Sequence, residues 1–244
     1  MLISAGRVVT PARVFAPGWV LVEGDRVLDV QPGPPTRPAD VELPAATLVP
    51  GYVDVHVHGG GGATFDSGDP DQAATVARTH LAQGTTTMVA SLVTDRQPSL
   101  VRSVHELSAL VEDGLLAGLH LEGPWLSPLH AGAHDPDLLA KPTPGAVDEL
   151  VEAAAGHLRM VTLAPELPGG LDAVRRLSAA GVVAAVGHTD ATYDQARAAL
   201  DAGASVGTHL FNAMRGLHHR EPGPVTALLE HPDAYVELIA DGVH

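Results

Sequence analysis

The sequence predicts an α/β protein built as a (β/α)8 barrel of the TIM type, preceded by a small N-terminal β domain. From residue 47 onward, apolar runs alternate with amphipathic helical windows, a pattern typical of parallel βαβ units. Polar side chains suited to catalysis follow most of these runs, as expected at the carboxyl-end face of a barrel. The alternative is a doubly wound dinucleotide-binding sheet. Its G-x-G-x-x-G turn follows none of the runs, so the barrel is favoured.

Residues 1–46 form the predicted β domain, a small portion of a β-sandwich. They consist of short β-prone pieces broken by Gly, by Pro and by a turn at Glu23-Gly24-Asp25. The apolar faces of a small antiparallel sheet are expected from five residues: Val20, Val22, Val27, Leu28 and Val30. A sheet of this size buries little apolar surface by itself.

Residues 47–244 contain the predicted barrel, with seven strand candidates in order. These apolar runs are 47–58, 85–93, 115–123, 158–165, 182–189, 205–214 and 234–244. Four helical windows between them have Asp or Pro at the start and Gly at the end: 69–84, 98–114, 144–156 and 190–203. Because a closed barrel of this type needs an eighth strand, we expect a barrel that is incomplete at its C-terminus.

Composition excludes several classes of function. The 244 residues carry a formal net charge of −15, which excludes attachment to nucleic acid or to an anionic membrane through a general positive field. No apolar run approaches the length of a membrane span, and the N-terminus does not resemble a signal peptide, so a cytoplasmic protein is expected. Cysteine is absent and 14 His are present, so any metal must be bound by His, Asp or Glu.

His56 and His58 form an H-x-H pair in the first barrel strand. One such pair is expected by chance in a chain this rich in His, so the motif is weak alone. Residues i and i+2 of a strand face the same way, however, so both imidazoles can share one ion at the barrel mouth. The alternative is a hydrogen-bonded structural pair.

A carboxylate and two further imidazoles are predicted at the ends of other strands. Glu122 ends the third strand, where a buried charge requires either a cation or several backbone donors. His188 and His209 end the fifth and sixth strands, and together with Glu122 they supply a His2Glu set suited to Zn²⁺. His120 lies deeper and is expected to support the site. Asp190 is expected to cap the following helix.

Five motifs resemble a known family. PGYVDVHVHG, HLEGPWLSPLHAGAH, GHTDATYDQA, THLFNAMRGLHHREPG and IADGVH are similar to the N-acetylglucosamine-6-phosphate deacetylases of the amidohydrolase superfamily, whose barrels are of the metal-dependent hydrolase kind. The resemblance runs in order over residues 50–244, and THLFNAM followed by LHHREPG is its most specific part. Many amidohydrolases bridge two metals with a carbamylated Lys on the fourth strand. The only Lys here, Lys141, lies in a loop, so Glu122 takes that place.

The resemblance implies roles for individual residues. Glu122, His188 and His209 would bind the principal divalent ion, and His56 and His58 a second one. Zinc is favoured, although iron, manganese and cobalt accept the same ligands. The implied substrate contacts are Ala133, His134, Asn212, Ala213, Arg220 and His244. The guanidinium of Arg220 suits a phosphate monoester, and a surface salt bridge with Glu221 is its alternative role.

The resemblance also implies a reaction and a partner. The acetamide of N-acetyl-D-glucosamine 6-phosphate would be hydrolysed to D-glucosamine 6-phosphate and acetate, a step of amino-sugar catabolism and cell-wall recycling, in a homodimer. The family's acid/base aspartate ends the eighth strand, which would lie beyond His244. We therefore expect a C-terminally truncated chain without this group. Two alternatives remain open: another N-acyl amidohydrolase, or a non-catalytic fragment that binds metal or sugar phosphate.

Overall fold

The computed structural model describes residues 1–244. The chain divides into two compact units, Met1–Tyr52 and Val53–His244, whereas the sequence placed the boundary near residue 46. No helix combines the length and the hydropathy that a membrane span requires.

The first unit is a five-stranded sheet. Its strands are β1 (Leu2–Val9), β2 (Val14–Phe15), β3 (Gly18–Glu23), β4 (Arg26–Pro32) and β5 (Val41–Leu48). The order is β2-β1-β3-β4, with β5 paired to β1 in parallel, so the sheet is not wholly antiparallel as predicted. The predicted turn at Gly24-Asp25 joins β3 to β4. Val20 is buried in this unit.

Two of the apolar residues assigned to this sheet are exposed. Val27 and Leu28 are 63% and 53% exposed. Both lie at the start of β4, next to the turn, and the register of the β3–β4 pairing shifts between Leu21 and Val22. That shift displaces the hairpin end from the alternation that the sequence predicts.

The second unit contains a seven-stranded sheet whose strands follow in chain order. They are β6 (Tyr52–Val57), β9 (Thr85–Leu92), β10 (Gly118–Glu122), β11 (Leu158–Leu163), β12 (Val183–Val186), β13 (Ala204–Gly207) and β14 (Tyr235–Val236). The pairings from β9 through β14 are all parallel. This confirms the predicted TIM-type architecture with seven strands. The short strands β7 (Gly59–Gly60) and β8 (Ala63–Thr64) form a separate hairpin.

The sheet is curled, so that side chains from its first and last strands meet. His56 of β6 places its Nδ1 2.9 Å from a carboxylate oxygen of Glu237, the residue that follows β14. The two strands themselves are the edges of the sheet and are not paired with each other. The last strand is much shorter than the predicted run 234–244. Its only sheet neighbour is β13, so little backbone pairing holds it extended.

Six helices follow the strands of the sheet. They are α1 (Pro70–Leu81), α2 (Gln97–Glu112), α3 (Pro144–Ala153), α4 (Gly170–Ala179), α5 (Tyr193–Asp201) and α6 (Gly223–Glu230). The Asp at the start of the first predicted window is the N-cap of α1, since the Asp69 side chain accepts hydrogen bonds from the backbone of Asp71 and Gln72. The core of this unit comprises buried apolar residues of the strands and of the inner helix faces.

Candidate metal centre

The five predicted metal-binding side chains meet at the carboxyl ends of the strands. Glu122 is the last residue of β10, His56 lies within β6, and His58 directly follows it. His188 and His209 stand two residues beyond the ends of β12 and β13. They line a cavity of about 1290 Å³. The sheet topology therefore brings together residues that are up to 153 positions apart in the sequence, from His56 to His209.

The backbone turns sharply at two of these histidines. His188 and His209 have φ values of +47° and +29°, in the left-handed region that residues other than Gly rarely adopt. Such turns redirect the chain at the end of a strand and aim the side chain across the barrel mouth. Backbone strain of this kind is concentrated at functional sites in proteins.

Glu122 is the centre of the cluster. Its carboxylate is buried and lies near five imidazole Nε2 atoms. The Oε1 atom is 3.0 Å from His209, 3.1 Å from His188 and 3.4 Å from His56. The Oε2 atom is 2.9 Å from His58 and 3.2 Å from His134. One carboxylate thus contacts three imidazoles through Oε1 and two through Oε2.

The electrostatics of the cluster favour the ionised carboxylate. Burial acts to raise the pKa of Glu122, but the contacts of its oxygens with the rings of His134, His188, His209 and His56 outweigh it and hold the pKa well below its usual range. Burial likewise acts to lower the pKa of His56. Hydrogen bonds to Glu122 and Glu237 reverse this effect and raise the pKa to about 10.

The positions of the ring protons test whether this donor set fits a cation. The Nδ1 of His188 lies 2.8 Å from the carbonyl oxygen of His130, which can only accept, so this Nδ1 carries the proton. The neutral ring then directs its Nε2 lone pair at Glu122 and at the Nε2 of His209, 3.1 Å away. His56 and His58 repeat the arrangement, with 3.1 Å between their Nε2 atoms. Lone pairs that converge on one carboxylate fit a shared divalent ion.

His134 differs from the other four imidazoles. Its Nδ1 accepts a hydrogen bond from the backbone N–H of Thr94 at 3.3 Å. The proton of a neutral His134 ring is therefore on Nε2, which donates to Glu122. Glu122, His134 and His188 are close enough to hold an ion, as are His56, His58 and Glu122. The tautomer nevertheless favours His134 as a hydrogen-bond donor at the cavity.

A buried chain of hydrogen bonds lies beneath the cluster and includes His120. Ser91 Oγ accepts from the backbone of Val57 and lies 2.9 Å from His120 Nδ1. On the other side of the ring, His120 Nε2 is 2.9 Å from Thr162, whose hydroxyl is 2.8 Å from that of Thr208. Burial lowers the pKa of His120 well below its ordinary value. His120 thus links strands below the site, and Glu122 occupies the layer above it.

Comparison with known proteins decides the family. The model of the amidohydrolase family matches residues 47–244. The chain belongs to the amidohydrolase family. The match contains the whole seven-stranded sheet and every predicted site residue.

Individual relatives of this amidohydrolase are more specific. A solved structure of N-acetyl-D-glucosamine-6-phosphate deacetylase from Mycobacterium smegmatis, an aspartate-to-alanine mutant in complex with N-acetyl-D-glucosamine-6-phosphate, is 53% identical with a TM-score of 0.98. It matches 100% of this chain and 64% of that one. The N-acetylglucosamine-6-phosphate deacetylase of Vibrio furnissii is 38% identical over 213 residues, 85% of this chain and 53% of the relative.

A further relative is named for a different sugar. The N-acetylgalactosamine-6-phosphate deacetylase of Escherichia coli O157:H7 is 38% identical over 207 residues, 83% of this chain and 55% of the relative. This amidohydrolase chain spans about half the length of these two curated relatives.

Most of the predicted substrate contacts of this amidohydrolase line the same cavity. They are Ala133, His134, Asn212, Ala213 and His244. Arg220 does not line it: the residue is exposed on the loop before α6 and forms no ion pair with Glu221 or any other carboxylate. Glu221 instead accepts hydrogen bonds from the backbone of Tyr193 and Gly223. The role of Arg220 in phosphate binding stays a prediction.

The prediction that Asp190 caps a helix is wrong. The N-cap of α5 is Thr192, which forms a capping box with Gln195. Asp190 instead forms a two-point ion pair with Arg215, at 2.6 and 3.1 Å, and a 3.1 Å contact with His130. An Asp between a strand and a helix is typical of a cap. The contact with Arg215 depends on a loop 25 residues away in the sequence, which no local pattern predicts.

Sequence reasoning also missed Glu237. This side chain lines the cavity and contacts His56 through its Oε2. A signal for it existed, because it is a charge within the predicted apolar strand 234–244, and a buried charge requires a partner. The same argument identified Glu122.

Proposed function

We propose that this chain carries the site of an N-acetylglucosamine-6-phosphate deacetylase, which hydrolyses the acetamide of the sugar phosphate to glucosamine 6-phosphate and acetate. The observation that carries the proposal is the convergence of Glu122 with four imidazoles at one end of a cavity. Its other walls hold five of the six residues that the family resemblance implies for the substrate, all except Arg220. The 53% identical solved structure, in complex with N-acetyl-D-glucosamine-6-phosphate, supports the substrate class.

The proposed ligands of the principal metal ion are Glu122, His188 and His209, with His56 and His58 for a second ion. Zinc is the favoured metal, because a carboxylate and two or more imidazoles are a common Zn²⁺ donor set, and iron, manganese or cobalt fit the same atoms. A bound divalent ion supplies a water of lowered pKa and polarises the acetamide carbonyl.

The residues of the chain itself would bind and orient the sugar phosphate. His134 presents an Nε2–H at the carboxylate cluster and is placed to donate to the acetamide oxygen. The backbone at Asn212 and Ala213 lines the cavity, and the left-handed φ of Ala213, +47°, turns the chain there. His244 would contact the sugar. Arg220 would bind the phosphate, since no carboxylate of the protein occupies its guanidinium.

A second candidate substrate is N-acetylgalactosamine 6-phosphate, which a 38% identical relative from Escherichia coli is named for. The two sugars differ only in the configuration of the hydroxyl at C4. The acetamide and the phosphate are shared, so the metal cluster and the phosphate contact would serve both. Contacts to O4 would decide between them.

The test compares metal content and hydrolysis for three sugars: the 6-phosphates of N-acetylglucosamine and N-acetylgalactosamine, and unphosphorylated N-acetylglucosamine. We expect bound divalent metal and a kcat/KM for the preferred phosphorylated sugar that is about 10–100-fold above that for the unphosphorylated one, from the lost charged contacts. A higher kcat/KM for the galacto sugar would select the second candidate. Equal hydrolysis with and without phosphate would favour another N-acyl amidohydrolase.

The comparison is made on the chain and on a version extended by the coding sequence downstream of His244. Because the resemblance places the acid/base aspartate after this residue, we expect metal binding in both proteins and full turnover only in the extended one. Proton transfer typically contributes about 10²–10⁴-fold. Full turnover by the unextended chain would contradict this expectation. The homodimer remains a prediction from the resemblance, and the cytoplasmic location remains a prediction from the sequence.

A further inference from the structure

Glu237 is a buried carboxylate that none of the predicted roles uses. It follows the short strand β14, and its side chain is 13% exposed. Its Oε2 lies 2.9 Å from Nδ1 of His56 and accepts a longer hydrogen bond, 3.4 Å, from the backbone N–H of His209. Its Oε1 is buried and has no hydrogen-bond partner. The residue therefore contacts the metal cluster through Nδ1 of His56, whereas Glu122 contacts Nε2 of the same ring.

A carboxylate at this position determines where the His56 proton resides. An ionised carboxylate can only accept, so Nδ1 of His56 must carry a hydrogen in order to contact it. The Nε2 atom then faces the cavity, 3.1 Å from Nε2 of His58 and 3.4 Å from Glu122, where a bound cation would replace its proton. The Nδ1 atoms of His58 and His209 are buried and have no hydrogen-bond partner. Only His56 and His188 have a tautomer set by an acceptor.

The contact joins residues from the first and last strands of the sheet. His56 is on β6 and Glu237 follows β14. The carboxylate therefore fixes the ring of His56 from a position 181 residues away in the sequence.

We propose that Glu237 is a positioning residue that fixes the tautomer and orientation of His56 and so prepares the His56/His58 cation position. This inference rests on the proposed metal-dependent function. Glu237 acts through His56 and is given no contact with the substrate. Outer carboxylates that orient a metal-binding imidazole are a general feature of metal sites.

The variant Glu237→Gln tests the proposal with little change in shape. An amide can donate to Nδ1 as well as accept from it, so His56 is no longer restricted to one tautomer. Zn²⁺ titration calorimetry should show about 10–100-fold weaker binding at the His56/His58 position. The ion at Glu122, His188 and His209 should be unaffected. The ¹⁵N shifts of the neutral His56 ring, recorded without zinc, should show a smaller Nδ1-protonated population.

Two controls separate positioning from general damage. Glu112→Gln changes another Glu–His pair, with His157 at 3.4 Å on the surface, and should bind zinc as the wild type does. In a His56→Ala background, Glu237→Gln should cause no further loss of zinc affinity, because the imidazole through which it acts is already absent.

The outcomes distinguish the inference from the function on which it rests. Unchanged zinc affinity in Glu237→Gln, or a further loss in the His56→Ala background, would overturn the role of Glu237 while the metal centre stands. Absence of bound zinc from the wild-type protein would contradict the proposed function, and the role of Glu237 with it.

Discussion

At the scale of single residues, the partner of Nδ1 determines whether the Nε2 atom of each histidine can bind a cation or donate a hydrogen bond. His188 and His56 each contact a pure acceptor through Nδ1, which leaves Nε2 free to bind a cation. His134 accepts a backbone N–H at Nδ1 and so donates from Nε2. Three histidines that look alike in the sequence therefore present different chemistry to the same carboxylate.

The Asp190–Arg215 ion pair should stabilise the fold in a pH-dependent way. The hydrogen bond from Arg215, with a smaller effect of His130, lowers the pKa of Asp190. Asp190→Asn should lower the free energy of unfolding at pH 7 by about 1 kcal/mol. A lowered folded-state pKa gives stability that is present above the unfolded-state value and lost as pH falls through the folded one. Denaturant unfolding of both proteins from pH 7 down to pH 2 measures the gap, which should close in acid.

Asp172→Asn is the matched control. Asp172 also pairs with an arginine, Arg176, at 2.8 Å, but both side chains are more exposed. The change should cost less than Asp190→Asn does, because solvent screens an exposed pair. An equal loss of unfolding free energy in the two variants would show that the Asp190–Arg215 pair does not stabilise the fold. The same conclusion would follow if the difference between the wild type and Asp190→Asn persists at pH 2.

At the scale of elements, the strand-to-loop turns place the site. Gly187 precedes His188 and packs against the buried hydroxyl chain below the cluster. A Cβ at this position would lie 2.7 Å from Cβ of Thr208 and 2.8 Å from Cγ2 of Thr162. Such distances do not occur between real side chains, so the close approach of β12 to its neighbours requires Gly.

Gly187→Ala should therefore destabilise the protein by about 1–3 kcal/mol, through overpacking of the barrel interior. Urea unfolding measures the change. Gly145→Ala, at the start of α3 where an added Cβ meets nothing within 4 Å, is the matched control and should be neutral or slightly stabilising. If Gly187→Ala is as well tolerated as Gly145→Ala, the packing beneath the cluster is looser than the structure shows.

The secondary-structure elements were predicted well where hydrophobic periodicity agrees with Asp, Pro or Gly at the ends of a segment, and poorly elsewhere. All seven barrel strands were located, α1, α3 and α5 fall within the predicted helical windows, and α2 begins one residue before its window. The helices α4 and α6 were not assigned: the N-cap of α4 is a glycine, Gly169, and the residue after α6 is His231, where the other windows have Gly near the end. The hydrogen-bond partners of Asp190 and Glu237 depend on loops and edges that meet only in the folded chain, and no local pattern encodes such contacts.

At the scale of the whole molecule, metal binding should couple to stability. The proposed ligands come from β6, β10 and the loops after β12 and β13, so an ion ties together strands on opposite sides of the sheet. A metal ion present at about 100 times its Kd adds about 2.7 kcal/mol to the free energy of unfolding. Removal of the ion with a chelator should therefore lower Tm by about 5–10 °C for a unit of this size.

Differential scanning calorimetry with zinc, with chelator and after zinc is added back measures this shift. Glu122→Gln provides the control, because this variant loses the carboxylate that both proposed metal positions share. The Tm of the variant should not respond to zinc. A wild-type Tm that ignores the chelator, or a Glu122→Gln variant that responds like the wild type, would place the stabilising ion outside this cluster.

The measurement that tests the metal centre most directly is anomalous diffraction at the zinc edge from crystals of the zinc-loaded protein. The account predicts a peak about 2.0–2.2 Å from the Glu122 carboxylate and from Nε2 of His188 and His209. A second peak at His56 and His58 is expected if both positions are filled. A zinc-loaded crystal with its only peak elsewhere, and with the histidines still in direct contact with Glu122, would contradict it.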